Sequence, residues 1–296
     1  MLNLPQNPKW DIARVIHSTL VNADCFDVFP FIEDKSIDAI IADLPYGTTQ
    51  NKWDSVLPLD ELWEHYKRVI TDNGVILLFG AEPFSSYLRI SNITQFKYDW
   101  YWEKDKGTNF GSSRKQPLKK IETISVFYNK QPFYDCNGEK LDKPYTHTLP
   151  INKSSNYGNF DSMDKVEREY VTYTHKTKNN LIYFARDNGN KGKHPTSKPI
   201  ELMEYLIKTY TKENDMILDN TMGSGTTNLA CLKLNRKLLD IDENSVQEWY
   251  DTTGGMLERS LNSALKKLTN QSLIFWSREI TVCKIEPIPD SEYRDW

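Results

Sequence analysis

The feature that most constrains the fold is a short apolar run that ends in a polar turn. Ile37-Asp38-Ala39-Ile40-Ile41-Ala42-Asp43 is one such run, and Gly74-Val75-Ile76-Leu77-Leu78-Phe79-Gly80 is another, preceded by the turn signal Asp72-Asn73-Gly74. Runs this short and this apolar fit strands buried on both faces of a parallel sheet. Between them, Leu59, Leu62, Trp63, Tyr66 and Ile70 recur at helical spacing. Strand, helix and strand in that order form a βαβ unit. The pattern resumes late in the chain. There, Pro199 opens a helix over Ile200–Tyr210, followed by a strand at Met216–Asp219, a helix over Thr226–Leu234 and a strand at Lys237–Asp242. A final helix is expected over Met256–Leu268. An α/β fold is the expectation.

The stretch from about Glu103 to Lys193 breaks this rhythm. It is rich in Lys, Asn, Tyr, Thr and Gly, and only Ile121–Tyr128 reads as a strand. We expect residues 1–102 and 194–270 to form the α/β domain, 103–193 an inserted, loop-rich region, and 271–296 an acidic C-terminal tail. A chain of 296 residues buries roughly three quarters of its unfolded surface, so it needs no disulfide staples. Cys25, Cys136, Cys231 and Cys283 are far apart, with no C-x-x-C pair, which argues against a disulfide framework or a zinc site. Mean hydropathy is −0.62, and no run approaches the roughly 20 apolar residues of a membrane span. The segment Met1–Pro8 has neither a cationic nor an apolar leader. A cytoplasmic protein without membrane association is expected. The net charge of −4 does not mark a nucleic-acid binder, so any such binding must come from a local patch.

Two turns carry chemistry. Leu218-Asp219-Asn220-Thr221-Met222-Gly223-Ser224-Gly225-Thr226-Thr227 joins a strand to a helix. Gly223 and Gly225 permit backbone conformations that a side chain would forbid, and they let a ligand approach the main chain closely. Asp242 closes the next strand, where an acid suits the hydroxyls of a ribose. The turn is neither G-x-G-x-x-G, because Asn228 replaces the third glycine, nor a phosphate-binding P-loop. Taken alone, it also reads as a tight connection with no ligand.

The second turn, Asp43-Leu44-Pro45-Tyr46-Gly47, follows the first strand at its carboxyl end, where open α/β sheets place ligands. An ordinary turn uses the same residues. Methyl transfer to an exocyclic amine also needs such a set, because the amine lone pair is delocalised and poorly nucleophilic. Asp43 and the Leu44 carbonyl can accept both amino hydrogens, which favours a pyramidal nitrogen. Tyr46 can stack on a base taken out of its helix.

With both turns present, the sequence resembles the amino-methylating DNA methyltransferases that use S-adenosylmethionine. Asp43-Leu44-Pro45-Tyr46 looks like their catalytic Asp-Pro-Pro-Tyr motif, and Asp219 to Gly225 looks like their glycine-rich cofactor motif. His194-Pro195-Thr196-Ser197-Lys198-Pro199 looks like the segment that precedes it. The motif order is similar to the beta subgroup, and the resemblance covers roughly Asn22 to Tyr250. It implies a Rossmann-like methyltransferase sheet with an inserted target-recognition region. It implies Asp43, Leu44, Pro45 and Tyr46 at the target base. Around the cofactor it implies Asp219, Gly223, Ser224, Gly225 and Thr226, with Asp242 at the ribose, Asp24 near the adenine ring, and Thr196 and Lys198 facing the carboxylate. The chain departs from the pattern at Leu44, often proline, at Asn220 and Thr221, often more apolar, and at Asp240, commonly glycine.

An Asp at the head of the motif implies adenine N6 as the target. Cytosine N4 is the alternative, and a DNA-binding relative that has lost catalysis is a further one. Cytosine C5 chemistry needs a thiol nucleophile, in that family after a proline, and no cysteine here follows a proline. The implied partner is double-stranded DNA in a restriction–modification setting, with a homodimer by analogy. Lys104, Lys106, Arg114, Lys115, Lys119 and Lys120 are six cations against two acids, and a mobile loop at Gly107–Ser113 would let them track phosphates. A solvated loop is the alternative. Trp100, Tyr101 and Trp102 fit packing at a sheet edge better than base stacking.

Overall fold

The computed structural model describes residues 10–15, 17–48, 54–150, 168–186 and 198–242. The expected helix at 256–268, the 271–296 tail and Thr196 lie outside them. Strands β1 (Asp11–Val15) and β2 (Ser18–Asn22) lead into helix α1 (Cys25–Val28). The βαβ unit follows as β3 (Ile37–Ala42), α2 (Leu59–Val69) and β4 (Ile70–Gly80). Then come α3 (Phe84–Ser91), β5 (Phe96–Thr108), β6 (Lys119–Phe127), β7 (Asn137–Pro150), β8 (Arg168–Thr177) and β9 (Leu181–Tyr183). The last elements are α4 (Ile200–Tyr210), β10 (Met216–Asp219), α5 (Thr226–Lys233) and β11 (Lys237–Ile241).

Among the described residues, nine strands form one sheet in the order β1-β2-β11-β10-β3-β4-β6-β5-β9. Its centre, β2-β11-β10-β3-β4, is parallel throughout, as apolar runs joined by helices require. Strand β6 enters antiparallel between β4 and β5. The sheet is packed on both faces. One face buries Ile40, Leu78, Leu218 and Leu239 against Leu62 and Tyr66 of α2. The other buries Ile41, Leu77, Phe79, Ile217 and Leu238 against Leu206 of α4 and Cys231 of α5.

Several expectations are corrected in detail. Asp72-Asn73-Gly74 does not end the chain's extended path but lies inside β4, as an irregularity where the β3–β4 pairing jumps from Ile37↔Ile70 to Ala39↔Val75. The boundary expected at 103 falls inside β5, because Trp100 and Trp102 are buried on the central sheet. These tryptophans pack on an interior strand, not an edge, since β9 pairs outside β5. By contacts, residues 135–180 form a compact unit of their own and the remainder another. In the smaller unit β7 and β8 make an antiparallel ribbon where a loop-rich module was expected. Cross-strand pairs hold it: Tyr145 stacks on Tyr173 at 5.3 Å, and the Thr146 and Thr172 hydroxyls lie 3.0 Å apart. Many of its side chains are exposed, so no apolar alternation announced the strands. No helix among the described residues is long and apolar enough to cross a membrane.

Candidate active site

Strand β3 pairs in parallel with β10, Ile217↔Ala39 and Leu218↔Ile40. The turn after Ala42 and the turn after Asp219 therefore leave the sheet side by side at its carboxyl end. The crossover from β3 runs to β4 on one side and that from β10 to β11 on the other, which makes this a switch point, where open α/β sheets bind ligands.

The first turn is organised by side chains. Asp43 Oδ1 accepts from the Tyr46 hydroxyl at 2.6 Å, and Asp43 Oδ2 accepts from Lys198 Nζ. Burial, then the charges of Asp43 and Glu122, hold the Tyr46 phenol well above its ordinary range, so it remains a donor. The Tyr46 ring stacks on Phe84 at 5.2 Å. Leu44 buries its side chain in the core, which gives the departure from proline a packing role. Gly47 has φ +67°, and the amides of Gly47 and Thr48 donate to the Asp54 carboxylate at 2.8 and 2.9 Å, which turns the chain away from the site.

The second turn is organised by main chain. Gly223 and Gly225 have φ +52° and +67°, the left-handed region that disfavours side chains. The Gly223 amide donates to Asp242 Oδ2 at 3.0 Å, which joins the turn to the end of β11. Asp219 accepts from the Thr221 amide at 3.1 Å and the Thr227 hydroxyl at 2.6 Å. Burial pushes its carboxyl up to about 7, against those two hydrogen bonds, with Asp43 and Asp242 adding to the shift. The Ser224 and Thr226 hydroxyls lie 2.8 Å apart at the start of α5. Asp24 caps α1 by accepting from the Phe26 amide at 2.8 Å, and the neighbouring Ala23 amide donates to the Asp242 carbonyl. Asn220 is buried and satisfied: the Tyr66 hydroxyl donates to its Oδ1 at 2.5 Å, and its Nδ2 donates to Cys25 Sγ at 3.7 Å. That contact ties α2 and α1 to the turn.

Asp43, Leu44, Pro45, Tyr46, Asp219, Gly223, Ser224, Gly225, Thr226, Asp242 and Asp24 are thus gathered by adjacent elements of one sheet end. Lys198, expected to face the cofactor carboxylate, pairs with Asp43. Lys104, expected on phosphates, is turned inward with 3% of its side chain exposed and pairs with Glu122 at 2.8 Å. The charge needs a buried partner there, so Lys104 leaves the phosphate-contacting set. Lys106, Arg114, Lys115, Lys119 and Lys120 are exposed, with Lys120 paired to Glu103 and Lys119 donating to the Glu82 carbonyl. Between them, Phe110–Ser112 forms a 3-10 turn entered through Asn109 at φ +69°. Sequence reasoning missed Glu122, Phe84 and Asp54. Glu122 left one signal, an acid within a strand of otherwise mostly apolar and hydroxyl residues.

The fold and these two turns define a Rossmann-like α/β methyltransferase. The family model described as DNA methylase, covering N6 and N4 methyltransferases, matches residues 37–249, and the chain belongs to that family. It is 28% identical over 242 residues to the type II methyltransferase M1.MboII of Moraxella bovis, covering 75% of this chain and 90% of the relative. To M.HpaI of Haemophilus parainfluenzae it is 26% identical over 258 residues, covering 82% and 75%. Among solved structures, the M1.HpyAVI–SAM complex superposes with a TM-score of 0.54 at 24% identity, over 83% of this chain and 99% of that one. The cytosine-N4-specific PvuII DNA methyltransferase superposes at 0.56 with 14% identity, over 84% and 94%. At these identities the structural matches establish the fold.

Proposed function

We propose that this protein is a type II, site-specific methyltransferase acting on the N6 amino group of adenine in double-stranded DNA. One observation carries the reading: β3 and β10 are paired neighbours, so an Asp-Leu-Pro-Tyr turn and a glycine turn open at the same sheet end. The cofactor is S-adenosylmethionine, which when bound supplies an electrophilic methyl group on a sulfonium. The residues fit it. Gly223 and Gly225 leave a main-chain cradle, and at Gly223 an added Cβ would meet only the Thr221 carbonyl oxygen, at 3.7 Å, so backbone conformation is what excludes a side chain. Asp219, Asp242 and Asp24 surround that turn with acceptors suited to hydroxyls and cations.

On the base side, Asp43 and the Leu44 carbonyl accept the two amino hydrogens and orient the nitrogen lone pair. Tyr46 offers its ring to the flipped base. The amine loses one proton on transfer, through Asp43 to solvent. Asp43 at the head of the motif favours adenine over cytosine. Lys106, Arg114, Lys115, Lys119 and Lys120 hold phosphates, and the β7–β8 ribbon, with exposed Tyr145 and Tyr170, supplies target recognition. The test is to incubate the purified chain with plasmid DNA and isotope-labelled cofactor, then resolve the nucleosides by mass. Label in N6-methyladenine is expected. Label in N4-methylcytosine would reassign the base, and no label in DNA despite cofactor binding would leave a non-catalytic DNA-binding protein.

A further inference from the structure

Four charged side chains run in a line from β5 into the catalytic turn: Lys104, Glu122, Lys198 and Asp43. Lys104 Nζ donates to Glu122 Oε1 at 2.8 Å, Lys198 Nζ lies 3.6 Å from Glu122 Oε2, and the same ammonium donates to Asp43 Oδ2. The two carboxylates are not equivalent. Asp43 has both oxygens engaged, by Tyr46 and by Lys198. Glu122 has one oxygen clamped by Lys104, while Oε2 is buried with no hydrogen-bond partner among the described residues. A buried carboxylate oxygen without a donor is costly, and here the nearest cation is already within reach.

Lys198 competes with an incoming amino group for Asp43 Oδ2, because an ammonium is a stronger donor than a neutral amine. We propose that Glu122 is a positioning residue for the reaction: it receives Lys198 on Oε2 as the target amine reaches Asp43. Lys104 keeps that oxygen in place. The shift is small, from 3.6 Å to the roughly 2.8 Å of a charge-assisted hydrogen bond. Where it stands, the ammonium lies over two ring faces, Phe79 at 5.1 Å and Tyr46 at 6.0 Å. No proton or bond changes hands, and the net charge of the four groups is constant. Burial opposes the charge on Lys198, yet Asp43 and Glu122 hold its ammonium above the ordinary lysine range, so it stays a cation throughout. Burial alone would raise Glu122, but Lys198 and Lys104 hold it below the ordinary range.

This inference rests on Asp43 being the residue that receives the amine, and the test separates the two. In the full chain at saturating cofactor, Glu122→Gln leaves Lys198 on Asp43, so kcat falls about 10-fold or more while the cofactor Kd stays within about two-fold. Adding Lys198→Met removes the cation that blocks Asp43, and the double variant turns over faster than Glu122→Gln alone. A Glu122 with a merely structural role would show no such recovery. The charge-balanced pair Lys104→Gln/Glu122→Gln shows the same kcat loss and covers the case in which Glu122→Gln does not fold. Wild-type kcat in Glu122→Gln, or no recovery on adding Lys198→Met, overturns the proposal. If Asp43→Ala keeps turnover, the catalytic reading itself is wrong. If Asp43→Ala is inactive while Glu122→Gln is normal, only the handover is wrong.

Discussion

The turn after β3 and the turn after β10 leave neighbouring strands at the same end of the sheet, yet they are made of different material. The first is a set of side chains, Asp43, Tyr46 and Lys198, held by hydrogen bonds and charge. The second is a backbone path through Gly223 and Gly225, fixed by the Asp242 carboxylate. The proposed function accounts for the difference. Directing a lone pair requires acceptors at defined positions, which only side-chain and carbonyl oxygens supply. Admitting a large cofactor against a helix start requires the removal of atoms, which glycine supplies.

Substitutions on the two sides should separate rate from affinity. Asp43→Ala is expected to have the largest effect: methyl transfer falls by about 10²–10³-fold or more, as when a preorganised acceptor or donor is lost, while the cofactor Kd measured by calorimetry barely moves. Gly225→Val should do the reverse. A β-branched residue at φ +67° is strained by roughly 1–2 kcal/mol, so cofactor Kd rises about 10-fold and kcat at saturation changes less. A Gly225→Val protein with normal affinity and poor kcat would break the division. Tyr46→Phe keeps the ring on Phe84 but removes the donor to Asp43 Oδ1; steady-state kinetics should show kcat lowered about 3–10-fold, the range of one hydrogen bond.

The smallest expected effect lies on the cofactor side. Asp240 is fully buried, and neither carboxylate oxygen has a hydrogen-bond partner among the described residues. Burial, then Asp219 and Asp242, raise its carboxyl well above the ordinary range. A carboxyl raised on folding binds its proton more tightly in the folded state, so it favours folding at low pH. That stability is lost as pH climbs from the ordinary carboxyl range through the raised value. Asp240→Asn removes the loss. Its Tm should exceed the parent's by a few degrees at pH 8 and converge on it near pH 4. A gap that widens toward low pH would contradict this.

Much of this was legible in the residues. The parallel centre could be read because double burial leaves continuous apolar runs, as in Ile37–Ala42 and Met216–Asp219. The glycine turn could be read because only a few residue types tolerate positive φ. The β7–β8 ribbon could not, since with so many side chains in solvent there is no hydrophobic period to detect. Lys104 was misplaced, and the pairing of Lys198 unforeseen, for one reason: a cation's sequence neighbours do not reveal a carboxylate, Glu122, that arrives from another strand. Asn220 was legible as a departure but not as a contact, because its partner Tyr66 lies 154 residues earlier in the chain.

The pairing of β3 with β10 also orders events during synthesis. Strand β3 is complete once the ribosome has passed residue 42, but its partner on one side, Met216–Asp219, emerges far later. Until then the nascent chain carries the Asp43 turn beside an open strand edge. A chain that stops before the glycine turn therefore lacks the second wall on which the proposed methyl transfer depends.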